Sequence, residues 1–150
     1  MEVSIAGRQD LPALARLLWL HAAPEQQAGQ SVESFAGDLA RWWADHAETH
    51  LAFVARSEGA DLVGMAWLAL LPRVPRPSTT TRLSADIQSV FVLPEHRGNG
   101  VGSALVQSAL EHASRLGVGR VTVHSSSKAV RVYERLGFAS SRELLQRPVD

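Results

Sequence analysis

Residues 90–106 read VFVLPEHRGNGVGSALV, and the rest of the chain is most easily understood outward from them. An apolar strand, Val90, Phe91 and Val92 among it, runs into Pro94, which cannot continue a ladder. Arg97 follows, and then Gly98, Gly100 and Gly102 alternate with Asn99 and Val101 before Ser103. Val101, Leu105, Ala109, His112 and Leu116 line one side of the next stretch, with Val106, Leu110 and Ala113 beside them, which predicts a helix to about Leu116. Gly117 and Gly119 end it. Glycines let a backbone turn tightly and meet a ligand with no Cβ in the way. The first amides of a helix have no partners inside it and sit at the positive end of its dipole. A pyrophosphate fits that field, and Arg97 supplies a cationic donor beside it. The same residues also read as a plain strand-to-helix turn, but three glycines within five residues cost more chain entropy than such a turn requires.

Hydrophobic periodicity orders the flanks. Residues 3–8 read as a strand. Asp10 is placed to cap a helix with Pro12 in its first turn and Leu11, Leu14, Leu17, Leu18 and Leu20 as its stripe, ending near His21. Residues 24–30 form a polar break. Ser31 and Ser34 offer caps for a second helix carrying Phe35, Leu39, Trp42 and Trp43. Residues 51–56 and 62–71 read as a hairpin joined over Ser57, Glu58, Gly59, Ala60 and Asp61. Residues 72–78, with three prolines and two arginines, read as a loop. Residues 82–93 read as a long strand, 120–124 as a short one, 128–136 as a short helix closed by Gly137, and 138–146 as a last strand. The order β-α-α-β-β-β-α-β-α-β predicts an α+β (α/β mixed sheet) fold in one domain over residues 1–150, since this length is an ordinary domain size.

Composition narrows the function. No cysteine is present, which excludes a disulfide scaffold, thiolate metal sites and a cysteine nucleophile. Fifteen basic and fifteen acidic residues leave zero formal net charge, so no general grip on nucleic acid or an anionic membrane is expected. No apolar run reaches membrane-spanning length and the start, MEVSIAGRQD, has no signal-peptide pattern, so a cytoplasmic protein is expected. His46 and His50 have a spacing that holds zinc on a helix, but the zinc-protease pattern fails there, and an exposed helix end with no metal is the simpler reading. No Gly-x-Ser-x-Gly elbow occurs.

Familiar phosphate motifs fail on the glycine turn. A Rossmann pattern started at Gly98 ends on Ser103, and one started at Gly100 ends on Leu105. No lysine follows the glycines, as a nucleotide P-loop requires. The pattern that fits is Arg-x-x-Gly-x-Gly, over Arg97 to Gly102. With it the chain resembles the GNAT superfamily of acyl-CoA-dependent N-acetyltransferases. Residues 129–138, AVRVYERLGF, are similar to that family's C-terminal signature. The resemblance implies a mixed, mostly antiparallel sheet flanked by about four helices and splayed between its fourth and fifth strands, here residues 82–93 and 120–124. It implies transfer of the acetyl group of acetyl-CoA to a small-molecule or protein amine, with a homodimer as a candidate assembly.

The resemblance also distributes roles. Tyr133, the only tyrosine, falls where the family often carries the acid for the coenzyme A sulfur. Val90, Phe91 and Val92 would offer main chain to the pantetheine and the acetyl oxygen, Val92 foremost. Arg97, Gly98, Asn99, Gly100, Val101, Gly102 and Ser103 would hold the pyrophosphate. Alternation places Asp86, Gln88 and Val90 on one strand face. Gln88 stands at a position where relatives often have glutamate and cannot take a proton. Asp86 reads equally as the base, directly or through water, and as a solvated strand-end carboxylate. Ser126 stands where many relatives have an asparagine contacting coenzyme A, and residues 125–127 otherwise read as a loop and helix cap. Lys128 and Arg131 read as exposed charges. The departures at Gln88 and Ser126 keep open a noncatalytic acyl-CoA-binding module. Trp42 and Trp43 cannot face the same way on a helix, so one is available to the acceptor cleft. Acceptor cues conflict: residues 21–50 carry Glu25, Glu33, Asp38, Asp45 and Glu48 against Arg41, whereas Arg73 and Arg76 favour a carboxylate-bearing acceptor.

Overall fold

The computed structural model describes residues 1–150. Its strands are β1 (Glu2–Ile5), β2 (His50–Arg56), β3 (Leu62–Arg73), β4 (Arg82–Val92) and β5 (Val121–Val123). Its helices are α1 (Leu11–His21), α2 (Pro24–Gln27), α3 (Val32–His46), α4 (Val101–Arg115) and α5 (Val130–Arg135), with 3-10 turns at Arg8–Asp10 and Pro94–His96. The sheet has the order β1-β2-β3-β4-β5, antiparallel through β4 and parallel between β4 and β5. This is the expected mixed α+β sheet. No helix is long and apolar enough to cross a membrane.

Each sheet face is covered because each helix carries an apolar stripe at helical spacing. Val101, Leu105, Val106, Ala109 and Ala113 of α4 pack on Phe53, Ala66, Leu68, Ala85 and Ile87. Leu14, Ala15 and Leu17 of α1, with Leu39 and Trp43 of α3, pack on Ala52, Val54, Met65 and Trp67 of the opposite face. Leu68 and Leu105 are wholly buried, and each contributes about 2 kcal/mol of transfer free energy. Ser31 caps α3 as its position predicts: its Oγ accepts from the Ser34 amide at 3.1 Å.

The sheet opens along β4. Only Ala85, Asp86 and Ile87 pair with β5, through Val121, Thr122 and Val123, although β4 continues to Val92. A bulge accompanies the opening. Trp67 faces Gln88 and Met65 faces Phe91, so Ser89 and Val90 share the space opposite Ala66. Ser89 has φ +52°, outside the range that non-glycine residues favour. Bulges add twist and bend a strand away from its neighbour. They also reset alternation, which corrects one expectation: Val90 does not share a face with Asp86 and Gln88. Val90 and Val92 pack toward α4 with Ala85 and Ile87, while Phe91 packs on the α1 side.

Five further expectations change. The first strand stops at Ile5, because the chain turns at Arg8–Asp10. Asp10 does not cap α1 with its side chain. Instead its Oδ2 accepts from the Gly7 amide at 2.9 Å and from Arg56 Nη2 at 2.8 Å. The polar break holds a one-turn helix started by Pro24, making five helices instead of four. β3 runs on through Pro72, tolerated because β2 ends at the pair His50–Ala69 and β3 has a free edge beyond it. Residues 138–146 form no strand. β5 offers a ladder of only three residues, and the adjacent Leu144 and Leu145 cannot both face inward from an alternating strand.

The Asp10–Arg56 pair yields a stability prediction. Arg56 holds the Asp10 carboxyl below the ordinary carboxylate range; burial opposes this and the Gly7 amide reinforces it. A carboxylate lowered in the folded state stabilises above its unfolded pKa near ~3.9, and that stabilisation is lost as pH falls through the folded value. Asp10→Asn is expected to cost about 2 kcal/mol near pH 7, the worth of a hydrogen bond to a charged group, with the deficit closing below about pH 3. Urea melts at both pH values check this; an equal deficit at both would mean that charge is not the cause.

Candidate active site

The turn between β4 and α4 takes its shape from two left-handed residues, Gly98 at φ +80° and Gly100 at φ +78°. A Cβ at either would touch nothing within 4 Å, so torsion rather than space demands glycine there. Gly102 differs: its φ is not positive, and a Cβ would meet only Val92 Cγ2 at 3.8 Å, an ordinary contact. No intramolecular feature requires a glycine at that position. Ala104 is the first residue to bond into α4, its amide donating to Gly100 O at 3.0 Å. The amides of residues 98–103 donate to no backbone acceptor. Asn99 is exposed at the tip, whereas Val101 is buried and anchors the helix start in the core.

The end of β4 lies beside this row of amides. The Leu93 amide donates to Val63 O at 2.9 Å. Successive strand amides alternate sides, so the Val92 peptide groups face the opposite, opened edge. Arg97 confirms the direction: its Nε donates to Val92 O at 2.8 Å. Its guanidinium carbon lies 5.4 Å from the centre of the Phe91 ring, and His21 packs 5.2 Å from the same ring. Burial, and then the Arg97 charge, lower the His21 pKa. Arg97 thus ties the glycine turn to the strand end instead of standing apart beside the turn. His21, at the end of α1, is a neighbour that no sequence motif marked.

Asp86 stands where the sheet begins to open. Its Oδ1 accepts from Thr122 Oγ1 at 2.8 Å and its Oδ2 from Gln88 Nε2 at 3.1 Å. Gln88, which cannot take a proton, instead orients the carboxylate that can. Thr122 escaped the sequence reading because its role depends on the parallel register Asp86–Thr122.

Tyr133 lies on α5, its ring edge-on to Phe138 with centroids 5.5 Å apart. Burial raises its phenol pKa above the ordinary value. Tyr133 and Thr122 line one crevice of about 790 Å³ beside β5, with Ala113, His124 and Phe138. None of residues 97–103 lines that crevice, so the glycine turn lies outside it. Thr122 bonds Asp86 and also lines the crevice that Tyr133 lines. Ser126 is exposed, and its carbonyl accepts from Ser125 Oγ at 2.7 Å and the Ala129 amide at 3.1 Å. The serines do not cap α5, whose N-cap is Ala129.

The two indoles of α3 divide as their spacing requires. Trp43 is buried, while Trp42 is 40% exposed and stacks on His46 at 4.4 Å. Trp42 also approaches His50 edge-on at 4.8 Å and Trp67, the cross-strand partner of Gln88, at 6.5 Å. His50 is half-buried and not part of an exposed turn; burial, then His46, lowers its pKa.

A mixed sheet opened along one strand, with a helix springing from a glycine turn at its mouth, is the arrangement that the sequence resemblance implied. The chain belongs to the acetyltransferase (GNAT) family, whose model matches residues 13–138. It is 32% identical over 126 residues to a mycothiol acetyltransferase of Propionibacterium freudenreichii subsp. shermanii, covering 79% of this chain and 37% of that protein. It is 36% identical over 77 residues to a glucosamine 6-phosphate N-acetyltransferase of Trypanosoma brucei brucei, covering 51% of this chain and 50% of that one. The chain therefore spans half or less of the length of these relatives. A crystal structure of a Trypanosoma brucei acetyltransferase superposes with a TM-score of 0.76 at 24% identity, over 99% of both chains.

Proposed function

We propose that residues 1–150 act as one N-acetyltransferase domain that moves the acetyl group of acetyl-CoA to a primary amine by direct attack in a ternary complex. The single observation that carries this reading is the row of unpartnered amides over residues 98–103, beside the open edge of β4. Gly102, which no internal contact requires, fits a turn that a diphosphate approaches closely. Acetyl-CoA supplies the activated acyl group as a thioester.

The remaining steps fall to this chain. Asp86 takes a proton from the acceptor ammonium, directly or through water, freeing the lone pair that attacks the carbonyl carbon. The Val92 amide donates to the oxygen on which charge develops. As the C–N bond forms and the C–S bond breaks, Tyr133 gives its proton to the departing thiolate, and the nitrogen releases its second proton to water, which reprotonates the phenolate. Phe91 and Val90 hold the strand edge through main chain, and Ser126 borders the coenzyme from the loop before α5. A second reading rests on Gln88: with no carboxylate at that position, the same site would serve a noncatalytic acyl-CoA sensor.

Acetyl-CoA at about one hundred times its Kd is expected to add ~2.7 kcal/mol, raising Tm by roughly 5–10 °C. No shift at millimolar acetyl-CoA would overturn the coenzyme reading. Thiol release across a panel of amines then separates the enzyme from the sensor, which would be stabilised without turning over.

A further inference from the structure

The far end of the β3–β4 hairpin concentrates charge without neutralising it. Arg73 and Arg82 are directly opposed across the ladder. Like charges in that arrangement destabilise a sheet unless a counter-charge stands near. None does: residues 62–85 contain no aspartate or glutamate, and the protein's ion pairs are Arg41–Asp38 and Arg56–Asp10. Arg76 joins them at the tip, where it exchanges backbone bonds of 3.0 and 2.8 Å with Thr79. The arginines share one field, since Arg76 and Arg73 depress the Arg82 pKa after desolvation does. The tip is braced. Pro72, Pro75 and Pro77 restrict it, Ser78 turns it at φ +68°, and Arg82 Nη1 donates across it to Val74 O at 2.6 Å. That bond engages one of five guanidinium donors.

Register places this cluster relative to the chemistry. Side chains alternate along β4 without interruption from Arg82 to Asp86, so Arg82, Ser84 and Asp86 share a face, and Arg73 joins them through its pairing with Arg82. Four residues of strand put the Arg82 and Asp86 Cα atoms roughly 13 Å apart. On α3, Asp38 is bonded to Arg41 and Gln30, which leaves Glu25, Glu33, Asp45 and Glu48 of residues 21–50 without a basic partner.

We propose that Arg73, Arg76 and Arg82 form an anion-recognition subsite for the acceptor, selecting an extended amine that carries a carboxylate or phosphate roughly 13 Å from its nitrogen. This rests on the reading that the amine is deprotonated at Asp86. The probes are short peptides with a free N-terminus and glutamate, glutamine or phosphoserine at the fifth position, a matching distance in an extended chain. A control carries glutamate at the second position. The expected result is kcat/KM roughly tenfold higher for fifth-position glutamate or phosphoserine than for glutamine, with no gain from the second position. The gain should shrink in 0.5 M salt. In Arg73→Gln/Arg76→Gln, which spares the Arg82–Val74 bond, the acid-to-amide ratio should fall to about one; Arg76→Gln alone should lower it if the double variant does not fold. Equal rates on acid and amide, or a ratio unchanged in the variants, would overturn the subsite.

Anisotropy of C-terminally labelled glutamate and glutamine peptides, with no acetyl-CoA present, tests the same subsite without turnover. Acid-dependent binding lost in the variant supports the subsite even if no peptide is acetylated, in which case the transferase reading alone fails. Acid-independent binding overturns the subsite whatever the transferase does.

Discussion

Tyr133→Phe is expected to lower kcat about 100- to 1,000-fold while leaving stabilisation by acetyl-CoA unchanged. The substitution removes one hydroxyl. The ring that packs edge-on to Phe138 at 5.5 Å stays, so the fold around α5 has no reason to move. Burial raises its pKa above the ordinary phenol value, which keeps the proton on the oxygen although it weakens the acid. A phenol so raised is fully protonated near neutral pH and able to give a proton to a thiolate. The sign follows: loss of this acid would lower activity only above about pH 10, so no alkaline limb below that pH belongs to Tyr133. Single-turnover release of coenzyme A, alongside a thermal shift for binding, separates the outcomes. Unchanged turnover would remove Tyr133 from the chemistry, and lost stabilisation would make it a packing residue of the coenzyme groove.

Asp86→Asn is expected to slow turnover by about 100- to 1,000-fold at neutral pH and to lose that deficit as pH rises. Asparagine can still accept from Thr122 Oγ1, which now bonds Asp86 Oδ1 at 2.8 Å, so the β4–β5 junction should hold. What disappears is the proton acceptor. Without it the reaction depends on the fraction of acceptor amine already neutral, which grows about tenfold per pH unit up to an amine pKa near 10. A log-rate profile of unit slope in the variant, against a flatter one in the parent, identifies a base. A deficit equal at every pH would assign Asp86 to holding the strands together. Gln88 enters the same test, because its amide donates to the other carboxylate oxygen at 3.1 Å.

Much of the fold was legible from residue pattern. The stripe from Val101 through Leu105 to Ala109 and Ala113 packs as its spacing requires. Gly98 and Gly100 stand at positive φ, where glycine has an intrinsic advantage that any reader of the chain can apply. The bulge was not legible, because its left-handed residue is Ser89 and alternation gives no warning of its own interruption. Thr122 and Gln88 became partners of Asp86 only through strand register and side-chain direction. Asp10 looked like a helix cap because capping is a local rule, whereas its pairing with Arg56 spans 46 positions.

The boundary between the two sources of information is one of range. Local torsion and hydrophobic period are properties of neighbouring residues, and they sufficed for the strands up to β5, the main helices and the glycine turn ahead of α4. Which carboxylate meets which hydroxyl, how far β4 parts from β5, and which arginines gather at one hairpin tip depend on pairing between distant segments. Those choices are made when the sheet closes its register, since one residue of slip or one bulge turns every later side chain to the other face.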